Sequence, residues 1–377
     1  LPNPHLIFQS FFGTFQGEEF IVQPLERVAT IRGRSKHLFS VLLAIMAGLI
    51  VPLSQASVTV LLSEPFGSFG TMMPLGHVGV YLDHVCADSA VHLRLCRPGE
   101  MGIVLSRYHR VANIDWLAIP IMPFLYGVDD PDQVPQFMTL PEAAAIRERY
   151  RLRYLRDIVP DGPNGGPAPK GEWVETIGVT FDRRVWGYRI ETTVDQDQRL
   201  IDVLNDRPNV RAYRLRTDNC ADFAAKMVNI LYPDLVRRNK VYDFGLMTPK
   251  QVARSVAAYG ESHPEAKLSI MEIPQIPGTL GRSRPIWGVA ESGLKTKRYF
   301  FTLSVIQPEV IIGCGIVYLQ KGSWQVGKGA TPVKPGIWVA PEKPETQSNE
   351  SVAGGGAPAA NTNTNRSGST GTSLSNP

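Results

Sequence analysis

Thr217-Asp218-Asn219-Cys220-Ala221-Asp222-Phe223 runs directly into Ala224-Ala225-Lys226-Met227-Val228-Asn229-Ile230-Leu231, and this junction decides how the chain is read. The second stretch spaces its apolar residues as a helix does, and Asp218 and Asn219 are polar side chains of the kind that cap a helix start. Cys220 is therefore expected in the first helical turn. Unsatisfied backbone N–H groups and the positive helix end favour a thiolate there. The same N–H groups can hold an oxyanion. The expectation is a cysteine with a lowered pKa.

A nucleophile needs a base, and candidates lie far upstream. His77 opens Gly76-His77-Val78-Gly79-Val80-Tyr81-Leu82, which alternates like a strand. His92 lies in Ala90-Val91-His92-Leu93, a second strand-like stretch. A cysteine on a helix start with two histidines on neighbouring strands suits thiol catalysis, with His77 as base and His92 as the residue that orients it. The blander readings are a buried structural cysteine and a satisfied histidine at a strand end. A third reading makes Cys220, His77 and His92 zinc ligands, although no fourth ligand or compact spacing accompanies them. His84 and His109 fall in expected loops.

With 377 residues, 43% of them hydrophobic and 20% charged, the chain has an ordinary globular composition. A formal charge of +4 with dispersed basic residues argues against nucleic-acid binding. The short run Arg237-Arg238-Asn239-Lys240 reads as a solvated face. Compartment is better specified. Arg27, Arg32, Arg34 and Lys36 precede an apolar run from Leu38 to Leu53, and Ser54-Gln55-Ala56 follows with small residues. This is the pattern of a signal peptide over residues 36–56, with cleavage near Ala56. A retained anchor, and hence membrane association through residues 38–53, is the alternative. Residues 1–35 then read as a start placed too early. In an oxidising compartment Cys86 and Cys96 can pair across a short loop. Otherwise they are two small unpaired residues. Cys314, in Ile311-Ile312-Gly313-Cys314-Gly315-Ile316-Val317, reads as inert core in an apolar strand. No CxxC pair is present.

Strands are further expected at Val58–Leu62, Gly102–Leu105, Trp116–Ile119, Trp186–Thr192, Val210–Leu215, Lys267–Ile273 and Val310–Leu319. Helices are expected at Pro141–Asp157, Val194–Leu204 and Pro249–Tyr259. From about residue 341 the chain is Gly, Ala, Asn, Thr and Ser with few large apolar residues, too little to build a core. One folded domain is placed at 57–340, followed by a disordered tail at 341–377.

The ordered set Gly76-His77-Val78-Gly79-Val80-Tyr81, Ala90-Val91-His92-Leu93 and Asn219-Cys220 with Phe223 resembles the circularly permuted branch of the NlpC-type papain-like superfamily. That branch includes lecithin:retinol acyltransferase-like proteins and exported bacterial members. The resemblance implies an α+β fold, permuted papain-like, with an antiparallel sheet packed against helices and with insertions. It makes Cys220 the nucleophile, His77 the base and His92 the orienting residue, and it implies no cofactor. The acyltransferases continue with Glu-His-Phe where this chain has Ala221-Asp222-Phe223, and the spacer between His92 and Cys220 is long. The implied function is an exported cysteine hydrolase, a thiol peptidase or amidase of the periplasm or cell envelope. It would cleave an amide, as in cell-wall peptide, through an acyl-enzyme on Cys220. A lipid-derived amide or ester is the second substrate class. The alternatives are a non-catalytic peptide- or acyl-binding module on the same fold, and a lipid acyltransferase.

Overall fold

The run Val58-Thr59-Val60-Leu61-Leu62 is apolar or β-branched at every position, and it occupies the middle of the main sheet. The computed structural model describes residues 56–334 except 170, 240–242 and 323, all within one unit of the chain. The apolar run lies in β1 (Ala56–Ser63), whose eight residues are all buried. A strand covered on both faces needs no polar alternation, so its sequence reads as a continuous apolar run.

Around β1 lie β2 (His77–Leu82), β5 (Ile103–Ser106), β6 (Leu117–Pro120), β7 (Val185–Thr192), β8 (Ser269–Ile273) and β9 (Thr331–Pro332). Their spatial order is β6-β5-β2-β1-β7-β8-β9. Every pairing is antiparallel except β8 with β9, which is parallel. β3 (Val85–Ser89) and β4 (His92–Leu95) form a separate two-stranded sheet.

The helices are α1 (Gly67–Met72), α2 (Ile121–Tyr126), α3 (Leu140–Tyr150), α4 (Val179–Asp182), α5 (Val194–Asn205), α6 (Cys220–Leu231), α7 (Pro249–Ser262), α8 (Val289–Lys295), α9 (Lys297–Ile306) and α10 (Pro308–Val317). α6 packs on β2, and α7 packs on β1 and β7. Val58, Val60, Leu62, Val78 and Val80 of the sheet meet Phe223, Met227, Val252 and Val256 of these helices in the main core. Burying each such side chain contributes about 1.5–3 kcal/mol, and this packing fixes the start of α6 over the start of β2. The fold class is α+β, a mostly antiparallel sheet packed against helices.

Three expected elements differ. Val210–Leu215 forms no strand: it makes two isolated bridges, Val210 with Ile114 and Arg214 with Asp218, and Val210 and Leu215 stay exposed. Its alternation sets arginines against Val210 and Leu215, which stay uncovered, while Tyr213 turns to the cavity. Val310–Leu319 is mostly helix, since α10 runs to Val317 and holds Cys314 in a small separate cluster. A continuous apolar run has the same sequence signature in a buried strand or a helix, and Pro308 in the first turn favours the helix. The helix expected over Pro141–Asp157 ends as α3 at Tyr150 and continues as a wider turn over Arg151–Leu155. Residues 1–35, the signal-like segment short of Ala56, and the tail at 341–377 lie outside the described residues. Ala56 is the buried first residue of β1, paired with Thr192. Among the described residues no helix is long and apolar enough to cross a membrane.

Candidate active site

Asn219 is the N-cap of α6. Its side-chain oxygen accepts from the N–H groups of Ala221 and Asp222 at 2.7 and 2.9 Å, and Asp222 accepts the Asn219 N–H at 3.1 Å. This reciprocal box removes orphan donors from the helix start. The Asn219 amide donates onward to the carbonyls of Leu215 and Met247, tying the cap to the loops on either side. Asp222 also pairs with Arg238. Cys220 is thereby held as the first residue of α6, 6% exposed.

The Cys220 sulfur lies where the backbone amides of Val78 and Ala221 act to lower its pKa. Val78 follows His77, so the sulfur sits against the beginning of β2. The backbone amide of Cys220 acts in the same direction on the Tyr213 hydroxyl, whose pKa burial raises. Burial pushes the thiol up to about 11, against the lowering effect of these amides. The expectation of a thiol with a lowered pKa is corrected accordingly. The cap already uses the N–H groups of Ala221 and Asp222, and desolvation outweighs what the helix start offers.

His77 is placed by the residue before it. Gly76 has φ +72°, and a Cβ there would stand 2.5 Å from the Ser63 carbonyl at the end of β1. Only glycine accommodates both the left-handed backbone and the close approach. The His77 ring stacks on Tyr108 with centroids 4.0 Å apart and planes 16° from parallel. His77 as a residue is partly exposed, yet its Nε2 is sealed and has no hydrogen-bond partner among the described residues. Burial, with the Arg183 guanidinium second, holds the imidazole well below its ordinary pKa. Arg183 is itself bound to Glu175 at 2.7 Å, and the Tyr108 hydroxyl donates to the Glu175 carbonyl at 3.0 Å. Tyr108 therefore backs the His77 ring, with the Arg183 charge nearby.

Cys220 and His77 line one cavity of about 600 Å³, together with His109, Glu172, Arg183 and Tyr213. Phe66, Leu75, Leu246 and Met247 supply apolar wall. Glu172 accepts the His109 N–H at 2.6 Å, across 63 residues of chain, and its Oε1 lies 3.7 Å from His109 Nδ1. Burial, then the like charge of Glu175, raises the Glu172 carboxyl to about 6. His109 also meets Tyr213 with ring centroids 5.3 Å apart. None of His109, Glu172 and Tyr213 carries a local sequence signal for a site. All three come from irregular segments whose meeting is a tertiary event.

His92 is elsewhere. It opens β4 in the small sheet, its side chain is 61% exposed, and its Nδ1 lies 3.7 Å from Asp88. It does not line the cavity. The orienting role expected of His92 is therefore corrected: β4 pairs with β3 rather than extending the sheet that carries His77. Cys86 and Cys96 are bridged across this hairpin, with Cα atoms 4.8 Å apart. The zinc reading fails on the same geometry, because the histidines it needs are in different sheets. Among the described residues the clusters able to hold a metal are Cys86, Cys96 and Glu100, and Asp83, His84 and Asp197. The first of these has both sulfurs in the disulfide.

No known protein family matches the chain, and no curated protein matches it. Among solved structures it is similar to the type VI secretion system effector TseH, at 13% identity and a TM-score of 0.26, over 57% of this chain and 97% of that chain. A likeness at that level leaves the function to the geometry of the site.

Proposed function

We propose that this chain is an exported cysteine hydrolase that cleaves an amide through an acyl-enzyme on Cys220. The observation that carries the reading is the convergence of Cys220, first residue of a capped helix, and His77, first residue of a central strand, on one cavity with a polar and an apolar wall. Burial favours the neutral forms of both groups, so the resting pair is thiol and imidazole. Proton transfer then accompanies attack. His77 accepts the thiol proton as the sulfur bonds to the substrate carbonyl carbon. The imidazolium returns that proton to the departing amine as the C–N bond breaks, leaving a thioester. Water, deprotonated by the same imidazole, attacks the thioester, and Cys220 leaves as the thiol. The Tyr213 hydroxyl lines the same cavity and is the donor proposed for the tetrahedral oxyanion. Tyr108, stacked on the imidazole, holds the ring of the base.

The Phe66 and Leu75 wall beside Glu172 and Arg183 suits a peptide with both apolar and charged groups. Cell-wall peptide is the first substrate class, and a lipid-derived amide or ester the second. The bridged Cys86–Cys96 pair fits an oxidising compartment. A second reading, a non-catalytic peptide- or acyl-binding module, draws on one observation: the buried His77 Nε2 has no hydrogen-bond partner among the described residues. The deciding experiment offers peptide amides to the wild-type chain and to Cys220→Ala. Release of amine by the wild type, with none from the variant, supports the hydrolase. Equal binding by both with no release supports the module.

A further inference from the structure

Asp83 and His84 stand in the turn between β2 and β3, and Asp197 lies in the first turn of α5. Their ligand atoms all lie within 4.8 Å of one another. We infer that these three residues form a binding site for a divalent transition-metal cation, remote from the cavity, which clamps the far end of β2 to the start of α5.

A cluster of carboxylates is not in itself a site. The independent observation is Asp197. Its side chain is 0% exposed, and its Oδ2 is buried with no hydrogen-bond partner among the described residues. Its Oδ1 accepts only the Thr192 hydroxyl, at 3.3 Å. A buried carboxylate with so little compensation is costly unless a cation or a proton accompanies it. Asp83 and His84 are the titratable groups that face it.

Asp83 is already fixed from behind. Its two oxygens accept the N–H and the hydroxyl of Ser57, each at 2.6 Å, and His84 Nδ1 lies 2.9 Å from Oδ1. Arg189 donates to the Ser57 hydroxyl at 2.9 Å, and its guanidinium is 3.9 Å from Asp83. Such contacts behind a ligand orient it for metal. They also leave two carboxylates against one guanidinium, a deficit of one positive charge that a divalent cation more than covers. One imidazole and two carboxylates form a mixed nitrogen and oxygen set. That set suits zinc or manganese better than calcium or magnesium, which take oxygen alone. Bonds of about 2.0–2.2 Å to three such atoms require only a small inward movement of the side chains. None of the three residues lines the Cys220 cavity, so the cation would be structural.

The test uses the full chain stripped by chelator, then equilibrated with zinc or manganese chloride, with magnesium as control. The expected result is one zinc or manganese bound per chain by mass spectrometry of the metal, a rise in Tm on loading, and no response to magnesium. Asp197→Asn keeps the shape of the site and removes the buried charge. The metal-free variant should fold at least as stably as the wild type, bind zinc more than about tenfold more weakly, and lose the rise in Tm. His84→Ala should also weaken binding. Zinc bound equally by the wild type and Asp197→Asn, or no stoichiometric metal in the wild type, overturns the site.

Discussion

His77 and His92 open two short strands of similar look, yet they belong to different parts of the molecule. The corner formed by β2 and α6 is built from the central sheet: His77 is stacked on Tyr108, near the Arg183 charge, and turned to the cavity that Cys220 shares. The β3–β4 hairpin is a separate sheet that buries Val85 and Leu93 in the same core, held by the Cys86–Cys96 bridge and by Asn205, whose side chain bonds the Leu93 N–H and carbonyl at 3.0 and 2.8 Å. His92 there faces solvent. A strand's local pattern says that it pairs. Which sheet it joins depends on partners distant in the chain.

That contrast is open to direct tests. The largest effect is expected at Cys220: Cys220→Ala should lower amide hydrolysis by more than about 10³-fold, down to background, with an unchanged circular dichroism spectrum. Hydrolysis that survives would place the chemistry outside this corner. His77→Ala should follow with a loss of about 10²–10⁴-fold, the range for a lost general base. His92→Ala should stay within about twofold of wild type. Equal losses from the two histidine variants, measured as kcat/KM, would erase the distinction between the regions.

The protonation state of the corner gives a third test. With the Cys220 thiol pushed up to about 11 and the His77 imidazole held low, alkylation of the resting protein by iodoacetamide should be slow at pH 7 and climb as pH rises towards 11. A plateau below neutral pH would instead indicate a thiolate–imidazolium pair. Glu172 sharpens the picture on the acid side. Its pKa is raised on folding, so the unfolded chain releases this proton more readily. The sign is that stability falls as pH rises from about 4.5 through about 6. Glu172→Gln should therefore raise Tm more at pH 7 than at pH 4.5, which scanning calorimetry at the two values would reveal. The hairpin should respond to reduction. Opening Cys86–Cys96 should cost about 2–3 kcal/mol of stability and change kcat by less than about twofold. A loss of activity larger than the loss of folded protein would tie the hairpin to the site.

Much of this architecture was legible in the chain. Asp218 and Asn219 ahead of an apolar helical run marked the start of α6, because capping is a local hydrogen-bond pattern, and the structure assigns the cap to Asn219. The alternation after His77 and the run Val58–Leu62 marked the inner strands. The errors fall where a pattern has two solutions. Val310–Leu319 is apolar throughout, which suits a strand or a helix equally. Val210–Leu215 alternates but leaves Val210 and Leu215 uncovered. The raised pKa of Cys220 was not legible, since it reflects burial by β2 and the cavity wall rather than anything adjacent in sequence.

The sequence by itself determined where α6 begins, that a cysteine stands first in it and that a histidine stands first in β2, because caps, strand alternation and apolar periodicity act over a few residues. Only the tertiary structure decided that His77, and not His92, reaches the Cys220 cavity, and that His109, Glu172 and Tyr213 join them. Those meetings arise from burying the apolar faces of distant elements against one sheet. The free energy of that burial depends on the total area removed from water, and no short stretch of chain records it.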